Sequence, residues 1–201
     1  MIIENSFEQG DEKWHSARML SIGGTGTSKL ITSKGVRSKS REDYLYSKAS
    51  QRLTGKSKSI FQTYEMAWGH EHEPDARDIF SITKGIEVKT CAMIFADENR
   101  DWHISPDGYM EDSGLEIKCP QLKAYDKYVS GGVLPTEHIL QVQSSLALTG
   151  FSHWWYMVYF PGLVPMILKI ERDEDLIKII KAEINIFNRD LQKLIAKLKG
   201  E

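Results

Sequence analysis

Ser105-Pro106-Asp107-Gly108-Tyr109-Met110 and, a few residues on, Leu115-Glu116-Ile117-Lys118-Cys119-Pro120 decide how this chain is read. The second segment alternates apolar and charged residues, the pattern of a half-buried strand. Side chains alternate across a strand, so Leu115 and Ile117 point to one face and Glu116 and Lys118 to the other. Glu111-Asp112-Ser113-Gly114 reads as a polar turn. The run Trp102–Met110 then returns antiparallel to Leu115–Cys119 and sets Asp107 beside Glu116 and Lys118.

The grouping has a chemical rationale. Neighbouring carboxylates repel unless a cation lies between them. Magnesium or manganese suits carboxylate, carbonyl and water ligands. An ion held there lowers the pKa of its water and polarises a phosphoryl oxygen. Lys118, on the same face as Glu116, is placed to orient that water or to stabilise developing charge. This is the minimal layout of a metal-dependent phosphodiesterase. The bland alternative is a surface hairpin carrying a Glu–Lys pair.

Composition sets outer bounds. The chain has 201 residues, 41% of them hydrophobic, and a formal net charge of -2. One domain over residues 1–201 is the simplest expectation. No apolar run is long enough to span a bilayer, and Met1-Ile2-Ile3-Glu4-Asn5 lacks the features of a signal peptide. Cys91 and Cys119 do not suggest a disulfide scaffold, so a reducing cytoplasm is the default. The small net charge argues against a uniformly basic nucleic-acid coat, but not against one basic channel. Residues 29–58 concentrate such charge: Lys29, Lys34, Arg37, Lys39, Arg41, Lys48, Arg52, Lys56 and Lys58.

Around the central stretch, Trp14 and Arg18 share one face of a short predicted helix. Ser21-Ile22-Gly23-Gly24-Thr25-Gly26-Thr27-Ser28 is either an anion-cradling loop or a plain turn. It fits neither the phosphate-loop nor the dinucleotide pattern. Arg41–Leu53 and Thr63–Lys84 read as helices, with a kink or a new start at Pro74. Glu73, just before that proline, faces either a cleft or solvent. His70-x-His72 lacks the spacing of a helical zinc pair. Glu87–Ala96 reads as a strand, Lys123–Val129 and Pro135–Thr149 as helices. His138, Gln141 and Ser145 fall on one face of the latter, toward either the sheet edge or solvent. His153–Phe160 and Val164–Ile170 form a hairpin. Asp173–Leu198 is a long amphipathic helix, which covers the sheet or meets another subunit. On the residues alone the class is α/β or α+β, with one central, mixed, five-stranded sheet flanked by helices; of the two, α/β is the expectation.

With these residues in view, the chain resembles the phage lambda exonuclease or YqaJ-like viral recombinase family of PD-(D/E)XK nucleases. The resemblance rests on Trp14-His15-x-x-Arg18, Met66-Ala67-Trp68-Gly69-x-x-x-Glu73-x-Asp75-Ala76-Arg77, Ser105-Pro106-Asp107-Gly108, Leu115-Glu116-Ile117-Lys118-Cys119-Pro120 and Gln141-Val142-Gln143, in that order. It implies a restriction-endonuclease-like core. It implies Asp107 and Glu116 as magnesium ligands, with the Ile117 carbonyl as a third contact, manganese able to substitute and two ions in the site. Lys118 would activate water, Glu73 assist the metal site, and Gln141 support it. Arg18, Thr25 and Ser105 would bind a 5' phosphate, with Lys123 the nearest candidate for a further base. The implied activity is 5'-to-3' digestion of linear duplex DNA to mononucleotides, leaving a 3' overhang for recombination. The implied partners are DNA ends, a ring-shaped homotrimer and a phage single-strand annealing protein, acting in a bacterial host's cytoplasm with no membrane. A PD-(D/E)XK endonuclease and a non-catalytic DNA-end-binding module are the alternatives.

Overall fold

A computed structural model describes residues 1–57 and 63–201; Lys58 of the basic run lies outside them. The chain runs β1 (Ile2–Glu4), α1 (Glu12–Leu20), β2 (Ile22–Gly23), a single 3-10 turn (Gly24–Gly26), α2 (Thr27–Leu30), α3 (Arg41–Thr54) and α4 (Tyr64–Lys84). It continues through β3 (Met93–Phe95), β4 (Trp102–Ile104), β5 (Gly108–Tyr109), β6 (Ser113–Lys118), α5 (Leu122–Gly131), α6 (Thr136–Thr149), β7 (His153–Val158), β8 (Met166–Glu171) and α7 (Glu174–Lys199).

Local chemistry fixes the helix ends. Asp11 accepts the Trp14 amide at 2.7 Å and starts α1. Asp173 accepts the Leu176 amide at 3.0 Å and starts α7. Such caps satisfy amides that have no partner in the first turn. Pro74 lies inside α4, which runs unbroken through it from the Thr63 cap to Gly85.

The strands form two separate four-stranded mixed sheets, ordered β1-β3-β4-β2 and β5-β6-β7-β8. This corrects the expectation of one central five-stranded sheet. The run Trp102–Met110 is not a single strand. It leaves the first sheet after Ile104 and joins the second at Gly108. Pro106 lies in the break and has no N–H for a ladder. Glu87–Ala96 divides likewise: Met93–Phe95 belongs to the first sheet, while Lys89 bridges Tyr109 of the second. Ser113 and Gly114, read as turn, are the first residues of β6.

The second sheet carries the central stretch. β5 pairs antiparallel with β6, with Gly108 opposite Leu115, and β6 runs parallel to β7, with Glu116 opposite Tyr156. Leu115 and Ile117 pack with Ala76 and Phe80 of α4. The other face of β6 carries Glu116 and Lys118, and Glu116 meets α6 there through Gln141. Gly114 is required by its neighbour, because a β-carbon there would overlap the Trp154 ring on β7. On α7, Leu176, Ile180, Ile184, Phe187 and Leu191 join the largest core, so this helix packs within the chain. Its buried Glu183 accepts from Arg41 at 2.5 Å and from Arg37 at 3.2 Å, which ties α7 to α3.

Candidate active site

Asp107 stands one register position beyond the Gly108–Leu115 pair and thus opposite Glu116. The Ile117 amide donates to Asp107 Oδ2 at 2.6 Å. Burial, then the charges of Glu116 and Glu73, hold the Asp107 carboxyl well above the usual carboxylate range. Glu116 is 4% exposed. Its Oε1 accepts from Lys118 Nζ at 2.5 Å and from Gln141 Nε2 at 2.6 Å. Burial alone would depress Lys118, but Glu116 and Asp107 outweigh it and keep the ammonium above its ordinary value. The face of α6 that carries Gln141 is therefore the sheet-facing one.

Glu73 reaches the cluster from α4. Burial raises its carboxyl, against the opposing charge of Arg77. The Arg77 guanidinium donates to Glu73 Oε1 at 2.9 Å and to the Asp107 backbone carbonyl at 2.7 Å. One planar fork thus positions a carboxylate and the strand that carries another. The sequence reading quoted Arg77 without giving it a task. Its spacing of four from Glu73 on a helix was the available signal.

The cluster borders a cavity of about 990 Å³ whose lining includes Glu73, Ile117, Lys118, Lys123 and His138. A second cavity, of about 380 Å³, is lined by Arg18, Thr25, Lys29, Lys48 and His103 among others. Arg18 and Thr25 come together there, whereas Lys123 lies in the first cavity. Ser105 connects to the second through Trp14. The indole Nε1 donates to Ser105 Oγ at 3.0 Å, and the Arg18 guanidinium lies 4.2 Å over the indole ring.

Lys48, read only as one of a basic run, and His103 were given no place in a site by the sequence. Lys48 Nζ donates at 2.7 Å to the carbonyls of both Arg18 and Ser21, closing the C-terminal end of α1. Burial, then Arg52 and Arg18, push its amine down to about 7. Neither residue has a local sequence signature, because α3 and β4 bring them in from far along the chain.

Among the described residues, no three His, Cys, Asp or Glu side chains surround a point that would hold a metal ion. Asp107, Glu116 and Glu73 are instead engaged by an amide, an ammonium with an amide, and a guanidinium. The donor set nonetheless suits a hard divalent cation: carboxylates that repel one another, the buried Glu116 among them.

The fold and the Asp107–Glu116–Lys118 group define a protein of the PD-(D/E)XK-related class. The chain belongs to the YqaJ-like viral recombinase family, whose domain pattern matches residues 13–152. It is similar to an alkaline exonuclease from Laribacter hongkongensis, with 29% identity, a TM-score of 0.84, and 94% of this chain and 96% of that chain covered. That exonuclease has also been solved in complex with dAMP. A phage-related exonuclease from Haemophilus somnus 129PT shares the fold at 15% identity, with a TM-score of 0.64 over 89% of this chain and 96% of that one. No curated protein matches the chain by sequence.

Proposed function

We propose that this protein is a metal-dependent exonuclease. It digests one strand of linear duplex DNA from the 5' end, releases 5'-mononucleotides and leaves a 3' overhang. The observation that carries this reading is the pairing of Asp107 with Glu116 beside Lys118, on one side of a sheet and at the edge of a cavity. The likeness to the Laribacter alkaline exonuclease supports it, and that enzyme's complex with a deoxynucleoside monophosphate agrees with release of such products.

In this reading Asp107, Glu116 and the Ile117 carbonyl hold Mg2+, with Mn2+ able to substitute and a second ion in the same site. When bound, the ion lowers the pKa of water and neutralises charge on a phosphoryl oxygen. The Lys118 ammonium orients the attacking water and donates to the phosphoryl oxygens as charge builds on them. Gln141 fixes the Glu116 carboxylate, and Glu73, held by Arg77, assists the same cluster. Water attacks phosphorus and gives up one proton to solvent, the bond to the 3' oxygen breaks, and that oxygen takes a proton as the mononucleotide leaves. Arg18, Thr25 and Ser105 grip the terminal 5' phosphate, which an internal phosphate cannot imitate because it lacks the extra charge. Lys123 serves the scissile side, in the cavity with Lys118. The residues 1–201 act as one nuclease domain. The same reading includes a homotrimeric ring around DNA and cooperation with a phage single-strand annealing protein in the bacterial cytoplasm.

The test is digestion of a linear duplex with one 5'-phosphorylated strand, in magnesium and in chelator, beside a closed circle and the Glu116→Gln protein. Magnesium-dependent loss of the phosphorylated strand, an intact circle and an inert variant are expected. Cutting of the circle would establish an endonuclease instead.

A further inference from the structure

The cavity around Arg18 contains a base that the proposed function does not use. His103, on β4, is 2% exposed and lines this cavity. The ring is oriented by a chain of hydrogen bonds. Ser21 Oγ donates to the Ala17 carbonyl at 2.8 Å and lies 2.5 Å from His103 Nδ1. A hydroxyl has a single proton to donate. With that proton on Ala17, Nδ1 must carry the ring proton and donate to Ser21, which leaves Nε2 a bare acceptor.

Nε2 is directed at the Gly-rich segment. A β-carbon on Gly23 would lie 3.1 Å from Nε2 and 3.2 Å from Cε1, and 4.0 Å from Thr25 Oγ1. Glycine at this position therefore leaves the ring edge uncovered, next to the Thr25 hydroxyl. The titratable and charged groups that line the cavity with it are His15 and Arg18 from α1, Lys29 from α2, and Lys48 with the Tyr44 phenol from α3, while the Phe95 ring of β3 lies 6.2 Å from it. Burial, then Arg18 and Lys48, hold the imidazole well below its ordinary value and so keep it neutral. The Lys48 hydrogens are committed to backbone carbonyls. A neutral acceptor among cations is mismatched to a phosphate dianion, which offers only acceptors.

We propose that His103 determines specificity in this cavity: when a phosphate monoester enters, Nε2 takes one proton and becomes a donor to a phosphate oxygen. This rests on the proposed function, in which Arg18 and Thr25 receive a 5' phosphate. The proton balance is simple. Empty protein, phosphate dianion and one proton from buffer give a complex holding an imidazolium between Ser21 Oγ and the phosphate. The arriving negative charge offsets the cations that disfavoured the imidazolium. A 5'-hydroxyl end brings no such charge and draws no proton.

The test is binding in chelator, which separates it from cleavage. Fluorescence anisotropy compares short duplexes with 5'-phosphate and 5'-hydroxyl ends between about pH 6.5 and 9. Linkage makes the preference for phosphate fall by up to about tenfold per pH unit once the imidazolium is lost from the complex. Calorimetry of the unmodified protein, in buffers of different ionisation enthalpy, should show uptake of up to one proton for the phosphorylated end only. His103→Asn keeps an N–H toward Ser21 and deletes Nε2. It should retain a weaker, pH-flat phosphate preference. If the unmodified protein binds without proton uptake, or if His103→Asn keeps the full slope, the proton belongs elsewhere, Lys48 being the nearest candidate, and the proposal is overturned. A separate failure is recognisable. If the unmodified protein shows no phosphate preference at any pH, or Arg18→Ala leaves that preference intact, the phosphate pocket itself is wrong and His103 falls with it.

Discussion

Asp107, just before β5, stands one register position beyond the Gly108–Leu115 pair and so beside Glu116 of β6, and the Ile117 amide, next along β6, donates to Asp107 at 2.6 Å. A single amide does little for a half-buried carboxyl that has two acidic neighbours. The pair is thus held by the fold in a state that the cation of the proposed function would relieve.

In chelator, this arrangement weakens the fold as pH rises. The Asp107 carboxyl lies well above its ordinary value of 3.8 in the folded protein. The folded chain therefore keeps a proton that the unfolded chain has released, and stability falls as pH rises from that ordinary value through the raised one. Asp107→Asn should flatten this dependence and raise the metal-free melting temperature at neutral pH. Millimolar Mg2+ should stabilise the unmodified protein and leave the variant unmoved. Thermal melts over pH, with and without Mg2+, test this; an equal response of both proteins to Mg2+ would place the ion elsewhere.

Lys118 and Gln141 share one oxygen of Glu116, so their removal should not be additive. Lys118→Met should lower kcat by about 10²–10³-fold, as loss of a donor aimed at developing charge does. Gln141→Leu should lower it by about 10–100-fold, the range for a residue that orients a ligand. The double variant should lose less than the product of the two. Single-turnover rates in a double-mutant cycle measure this, and strict additivity would show that the residues do not act through Glu116.

Gly114→Ala should destabilise the protein by about 1–3 kcal/mol, since the added methyl forces Trp154 out of its place against β6. Gly131→Ala, where a β-carbon meets nothing within 4 Å, should change stability by less than about 1 kcal/mol. Urea denaturation with unchanged m-values separates the two.

Local pattern revealed much of this molecule. Asp107, Glu116 and Lys118 were legible because strand alternation and a short return path place them together without knowledge of the rest of the fold. Helix ends such as Gly85 were legible because glycine terminates helices for a local reason. The division into two sheets was not. It depends on the chain crossing between sheets at Ser105-Pro106-Asp107, and an extended segment looks alike in sequence whichever partner it pairs with. The strands β1 and β2 are too short to carry a periodicity. The place of Lys48 and His103 in the Arg18 cavity was not legible, because α3 and β4 deliver them there through long-range packing.

Trp14 has a consequence beyond packing. Its indole supports the Arg18 guanidinium on its face and hydrogen-bonds Ser105 at its edge, two residues before Asp107. The proposed grip on the strand end and the proposed catalytic carboxylate are therefore not mounted on independently moving parts. In the proposed enzyme this is a gauge. The spacing from the anchored terminus to the severed bond is set by the protein, so each cycle removes a fixed length of strand and regenerates an end of the same kind for the next.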